Sequence, residues 1–164
     1  MTSQSDRTFR FSLGNNVYLV SKPFGDCLLI HVRLYENVNV PTKKGLALTL
    51  SRWKTLTQVF DDVDSHLQRG DTTIFDRHLG GNYYVSVKDD RIDLRKWYMA
   101  DDGDLRATRK GINLSCEQWH ELKENARELN RLLCEELDRV VECFHQNQET
   151  FYDCAECCPN GALA

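Results

Sequence analysis

The 164 residues are 41% hydrophobic and 28% charged, with only three prolines and nine glycines, which excludes collagen-like and proline-rich disordered chains. No apolar run approaches the roughly 20 residues of a membrane span and no apolar signal core opens the chain, so neither a membrane protein nor a conventionally secreted one is expected. The formal net charge of −4 would by itself argue against a nucleic-acid partner, but the charges are sorted.

Residues 7–60 hold eight Lys/Arg against only Asp26 and Glu36. Residues 61–76 hold five Asp against Arg69. Residues 77–114 have eight basic and six acidic side chains, and 115–164 four basic and eleven acidic. Two basic blocks are each followed by an acidic one.

Along the chain, residues 9–50 alternate apolar and polar over short runs broken at glycines, which predicts about four antiparallel strands. The period then becomes helical: Trp53, Leu56, Phe60, Val63 and Leu67 fall on one face, with Ser51 where an N-cap is wanted. An acidic, glycine-containing linker follows from about Arg69 to Asp76. Residues 77–114 alternate again as strands. Trp119, Leu122, Ala126, Leu129, Leu133, Leu137 and Val140 then line one helical face, entered through the capping-box pattern Ser115 with Gln118. This second helix is expected to continue past Val141 to Phe144, its long apolar stripe a packing surface for the other half or for a second copy.

The two basic blocks match each other. Leu13-Gly14-Asn15-Asn16-Val17-Tyr18-Leu19-Val20-Ser21-Lys22 aligns with Leu79-Gly80-Gly81-Asn82-Tyr83-Tyr84-Val85-Ser86-Val87-Lys88. Ile30-His31-Val32-Arg33 aligns with Ile92-Asp93-Leu94-Arg95, and Lys43-Lys44-Gly45-Leu46-Ala47-Leu48 with Arg109-Lys110-Gly111-Ile112-Asn113-Leu114; Trp53 and Trp119 close each unit. The expected fold class is therefore α+β: two repeats, each a four-stranded antiparallel sheet followed by a helix. A unit of about 60 residues is marginal alone, so the two should share a core as an intramolecular pseudo-dimer. The boundaries are residues 7–68, a linker 69–76, residues 77–148 with the extended helix, and a Cys-rich tail 149–164.

Away from the helices, the first sheet should present Lys22, Phe24, Arg33, Tyr35, Lys43 and Lys44, and the second Tyr83, Lys88, Arg91, Arg95, Tyr98, Arg106, Arg109 and Lys110. Cations interleaved with aromatics are what unpaired nucleic acid needs, since phosphates pair with Lys/Arg and bases stack on rings. The competing assignment places Tyr18, Tyr84 and Trp97 in the core and leaves the cations as a solvated face. No nucleophile–base pair, phosphate loop or metalloprotease helix is present, and Cys27 beside His31 reads as two strand residues, so no enzyme is expected.

Seven cysteines, an odd number, favour reduced thiols in an intracellular compartment. The spacing Cys154-Ala155-Glu156-Cys157 admits a zinc knuckle completed by Cys143 or His145, with Cys158 beside it. A disulfide or redox role and a flexible tail with ordinary thiols stay open, and no cofactor is assigned.

The run Val85-Ser86-Val87-Lys88, Ile92-Asp93-Leu94-Arg95-Lys96-Trp97-Tyr98-Met99, Arg109-Lys110-Gly111-Ile112-Asn113-Leu114 and Glu117-Gln118-Trp119 resembles the C-terminal domain of the transcriptional coactivator positive cofactor four. Residues 9–60 resemble it more loosely, so the chain looks like a tandem repeat of that domain. The resemblance implies a curved sheet and helix in each half, single-stranded or melted DNA as ligand, a role in transcription regulation and a nuclear address. Partners it admits are RNA and the transcription machinery, with self-association through the C-terminal helix added by the apolar stripe. By resemblance the basic contacts fall on Lys22, Arg33 and Lys44, and on Lys88, Arg95, Arg106 and Lys110, with Phe24 and Tyr98 as stacking rings. The family's hairpin is cut short at Asp89-Asp90-Arg91, and the first half has Gly25-Asp26-Cys27 where the family has cations and Glu36 for a second ring. One asymmetric groove using Phe24 and Tyr98, weaker than the family's, is the expectation. The alternative is a protein-interaction module of the same fold that has lost DNA affinity.

Overall fold

The structure, a computed structural model, describes residues 8–70 and 73–140. Strands β1 (Phe9–Gly14), β2 (Val17–Phe24), β3 (Cys27–Glu36) and β4 (Val40–Thr49) precede helices α1 (Leu50–Gln58) and α2 (Phe60–Arg69). Strands β5 (Phe75–Gly80), β6 (Tyr83–Lys88), β7 (Arg91–Met99) and β8 (Leu105–Leu114) precede α3 (Cys116–Leu132) and α4 (Cys134–Asp138). Each set of four strands forms one antiparallel meander, in the orders β1-β2-β3-β4 and β5-β6-β7-β8. The α+β class, the strand count and the sheet-then-helix order agree with the alternation in the sequence.

The helical segments differ from expectation at three points. The first is two helices, because the chain turns at Val59, whose backbone N–H bonds back to the Leu56 carbonyl. Its N-cap is Thr49, whose hydroxyl accepts from the Arg52 amide at 3.3 Å, while Ser51 is buried inside α1. The second helix is not continuous to Val140: it breaks at Leu133 and resumes as the short α4. Val141, Phe144 and the tail, including Cys143, His145, Cys154, Cys157 and Cys158, lie outside the described residues. The Ser115–Gln118 capping box forms as expected, both reciprocal bonds being present at 3.1 and 3.0 Å.

One core joins the halves. On the inner faces Leu19, Ile30, Val32 and Leu48 meet Leu79, Val85, Ile92, Leu94 and Leu114, with Trp53, Leu56, Trp119, Leu122 and Leu129 supplied by the helices. Full burial of each such side chain contributes about 1.5–3 kcal/mol, and the helices deliver it crosswise. Helix α1 packs on β5 and α3 on β1, while the sheets meet along β4 and β8. The indole N–H of Trp53 donates to Asn130 Oδ1 at 2.7 Å, and that of Trp119 to Asp64 Oδ1 at 2.9 Å. Phe60 stands edge-on to both tryptophan rings, with centroids 6.5 and 5.2 Å away. The exchange extends to the sheet corners: Gln118 Nε2 donates to the Gly14 carbonyl at 3.1 Å, and Arg52 lies so close to Gly81 that a Cβ there would meet its guanidinium at 2.6 Å.

Candidate nucleic-acid interface

Strand alternation sorts side chains between the helix-facing and open sides of each sheet. In β2 and β3, Leu19, Ile30 and Val32 are buried beneath the sheet. The open side therefore takes Tyr18 opposite Arg33, Val20 opposite His31, Lys22 opposite Leu29 and Phe24 opposite Cys27. Lys22, Phe24 and Arg33 are thereby brought onto one face, as the sequence predicted. Phe24 is 72% exposed at the hairpin end, a ring in water rather than in a core.

The repeated Lys-Gly turns prove to be β-bulges. Between the pairs Arg33↔Gly45 and Tyr35↔Pro41 the register shifts, so Thr42, Lys43 and Lys44 together oppose Leu34. Between Arg95↔Gly111 and Trp97↔Ala107, Thr108, Arg109 and Lys110 oppose Lys96. The bonds match in the two halves. Thr42 Oγ1 donates to the Leu34 carbonyl at 2.7 Å and accepts from the Lys44 amide at 3.2 Å. Thr108 Oγ1 donates to the Lys96 carbonyl at 2.6 Å and accepts from the Lys110 amide at 3.1 Å. Arg33 Nη1 donates to the Thr42 carbonyl at 2.9 Å and Arg95 Nη1 to the Thr108 carbonyl at 2.8 Å. Each glycine is required by close approach: a Cβ on Gly45 would lie 2.6 Å from the Val32 carbonyl oxygen, and one on Gly111 2.7 Å from that of Leu94. The bulges hold Lys43, Lys44, Arg109 and Lys110 out in solvent. Thr42 and Thr108 were not singled out from the sequence, although both stand three residues before the repeated glycine.

Electrostatically the halves differ. Lys22, Lys43 and Lys44 have no acidic partner among the described residues. Neither does Arg33, which shares its face with His31 two residues earlier on β3. Burial first, and then the charges of Lys22 and Arg33, pull the pKa of His31 from 6.5 to about 4, so its ring is neutral at pH 7. Arg10, also not anticipated, stacks over the Tyr18 ring at 3.8 Å and the Tyr35 ring at 4.7 Å, and donates to the Val38 carbonyl and to Asn39. That cover leaves Tyr35 buried instead of presented as a stacking ring.

In the second half, Arg95 is gripped by both carboxylate oxygens of Asp93, at 2.9 and 3.0 Å. Arg106 pairs with Asp102 at 2.6 Å, and Arg91 Nε donates to Asn113 Oδ1 at 2.5 Å. Lys88, Arg109 and Lys110 are exposed, with no acidic partner among the described residues. Tyr98 is 45% exposed and pairs across the hairpin with Arg106. Alternation along β7 turns it to the side opposite Arg95 and Trp97, so Tyr98 does not share a face with the arginine expected beside it. Tyr83 packs against the core under Arg52, 4.6 Å from its ring.

Among the described residues no group of three or more His, Cys, Asp or Glu is placed to hold a metal, and no helix is long and apolar enough to cross a membrane. Cys27, Cys116 and Cys134 are exposed free thiols.

Residues 79–125, from the end of β5 into α3, match the family described as Transcriptional Coactivator p15 (PC4). The match covers β6, β7, β8 and the capping box, but only the end of β5. The first sheet lies outside it.

Proposed function

We propose that the chain binds single-stranded or melted DNA without catalysis, through its paired sheets, and serves transcription in the nucleus as a coactivator-like protein. In this reading residues 7–68 and 77–148 are two copies of one domain, joined by the linker 69–76. The family match over 79–125 and the identical Thr-bulge-Gly construction of β4 and β8 support it. The observation that carries it is the open face of the first sheet, where Lys22 and exposed Phe24 stand toward one hairpin end and Arg33 and the Lys43–Lys44 bulge toward the other, none of these cations having an acidic partner among the described residues. Phosphates would pair with the cations while a base stacks on the ring, an arrangement with little sequence preference.

The test is an anisotropy titration of a labelled thymidine oligonucleotide against the full chain at low and moderate salt. Binding should weaken with salt, with a slope of about −0.7 per phosphate neutralised. Lys44→Glu should weaken it further, and an RNA oligonucleotide in parallel reads the sugar preference. No binding at low salt by a folded chain would sink the proposal. That result would favour the interaction-module reading, for which the internal neutralisation of Arg95 and Arg106 is the supporting observation.

A further inference from the structure

The matched registers allow the open faces of the two halves to be compared position by position. Arg10 opposite Val20 in the first sheet corresponds to Asp76 opposite Ser86 in the second. His31 opposite Val20 corresponds to Asp93 opposite Ser86. Lys22 opposite Leu29 corresponds to Lys88 opposite Arg91, and there the likeness stops. The first hairpin runs on through Pro23↔Leu28 to Phe24↔Cys27. The second turns at once through Asp89 and Asp90, both at positive φ (51° and 62°). Beside Lys88 the second half adds Arg91, but at the other places it puts a carboxylate where the first has a cation, a neutral ring or an exposed aromatic. Charge opposes phosphate there, and the stacking ring is gone.

We propose that the two faces are unequal sites: the first sheet holds one nucleic-acid strand through Lys22, Phe24, Arg33 and the Lys43–Lys44 bulge, while Asp76, Asp89, Asp90 and Asp93 disable the same path on the second. The inference rests on the single-strand reading above and refines it, predicting one short strand per chain instead of two. Arg109 and Lys110, on the strand that meets β4, then act as auxiliary charges, with Lys88 apart from them at the end of β6.

The experiment titrates the full chain with a labelled thymidine oligomer of about eight nucleotides, short enough for one face. Lys22→Glu/Lys44→Glu should lower affinity at least tenfold, and the matched Lys88→Glu/Lys110→Glu less than about threefold. Phe24→Ala, at an exposed site outside the core, should cost about fivefold or more through lost stacking and stands in if the charge reversals disturb folding. Asp76→Arg/Asp89→Asn/Asp90→Asn should raise the saturation ratio toward two strands per chain; asparagine suits the positive-φ turn. Equal losses from the matched lysine pairs, or an unchanged ratio in the triple variant, would overturn the inference and leave the single-strand reading standing. A wild-type chain that binds nothing at low salt removes both.

Discussion

The indole N–H of Trp53, on the helix that follows the first sheet, is bonded at 2.7 Å to Asn130 Oδ1, on the helix that follows the second. Its counterpart Trp119 makes the reverse journey to Asp64, whose other oxygen pairs with Lys123. Each half thus places its largest buried side chain where only the other half can satisfy its polar atom. The consequence is cooperativity: a sheet that lost its partner's helix would expose an apolar face and orphan an indole donor.

Trp53→Phe should therefore destabilise the whole chain, by about 1–3 kcal/mol for the Asn130 oxygen left unpartnered. Unfolding in urea, followed by far-UV circular dichroism and by fluorescence of the remaining tryptophans, should give one coincident transition with its midpoint lowered. Two separated transitions would show that the halves fold independently.

The bulge glycines predict a second result. Because an added Cβ would lie 2.6–2.7 Å from a backbone oxygen of the neighbouring strand, Gly45→Ala and Gly111→Ala should each cost about 1–3 kcal/mol by overpacking. Gly103→Ala meets nothing within 4 Å but has φ +87°, and controls for backbone strain without the clash. Thermal melts compare the three, and a Gly45→Ala chain as stable as wild type would deny the close approach.

Val38 sits at φ 70° in the tip of the β3–β4 hairpin, half exposed. A β-branched residue is strained there, whereas Asn37 beside it, at φ 49°, is suited to such a turn. Val38→Gly should stabilise the chain by about 1 kcal/mol, raising the melting temperature by about 2–4 °C. An unchanged or lower melting temperature would contradict the strain.

The folded-state pKa of His31, near 4 against 6.5 unperturbed, fixes a pH dependence. Between those values the unfolded chain binds the proton and the folded chain does not, so stability is full above pH 6.5 and falls as pH drops toward 4. The loss from this residue should be about 1–2 kcal/mol, below the fully buried value because solvent screens the open side. Denaturant midpoints for wild type and His31→Gln, measured from pH 7.5 to 4, should separate over that window. Parallel curves would contradict the shifted histidine.

Much of the interface was legible because strand alternation is local. Lys22, Phe24 and Arg33 lie at odd separations only across the hairpin, and pairing one strand with the next puts them on one face. Asp93 and Arg95, two residues apart on β7, share a face by the same rule, so spacing makes them neighbours without deciding that they pair. For Tyr98 the two signals part: resemblance assigns it to the DNA face, while its odd separation from Arg95 along β7 sets it on the other side. The burial of Tyr35 had no local signal, since Arg10 reaches it from a strand 25 residues earlier in the chain.

The sequence by itself determined the eight strands, the two tryptophan-headed helices, the capping box and the repeated cation-cation-glycine turn. All of these follow from period, capping chemistry and glycine placement over a few residues. Only the tertiary structure decided which charges remain available. Arg95 and Arg106 are spent on Asp93 and Asp102, His31 is kept neutral by burial between cations, and Arg10 is laid over two rings. Those outcomes depend on distances between side chains and on the water removed around them, which residue order along one strand does not specify.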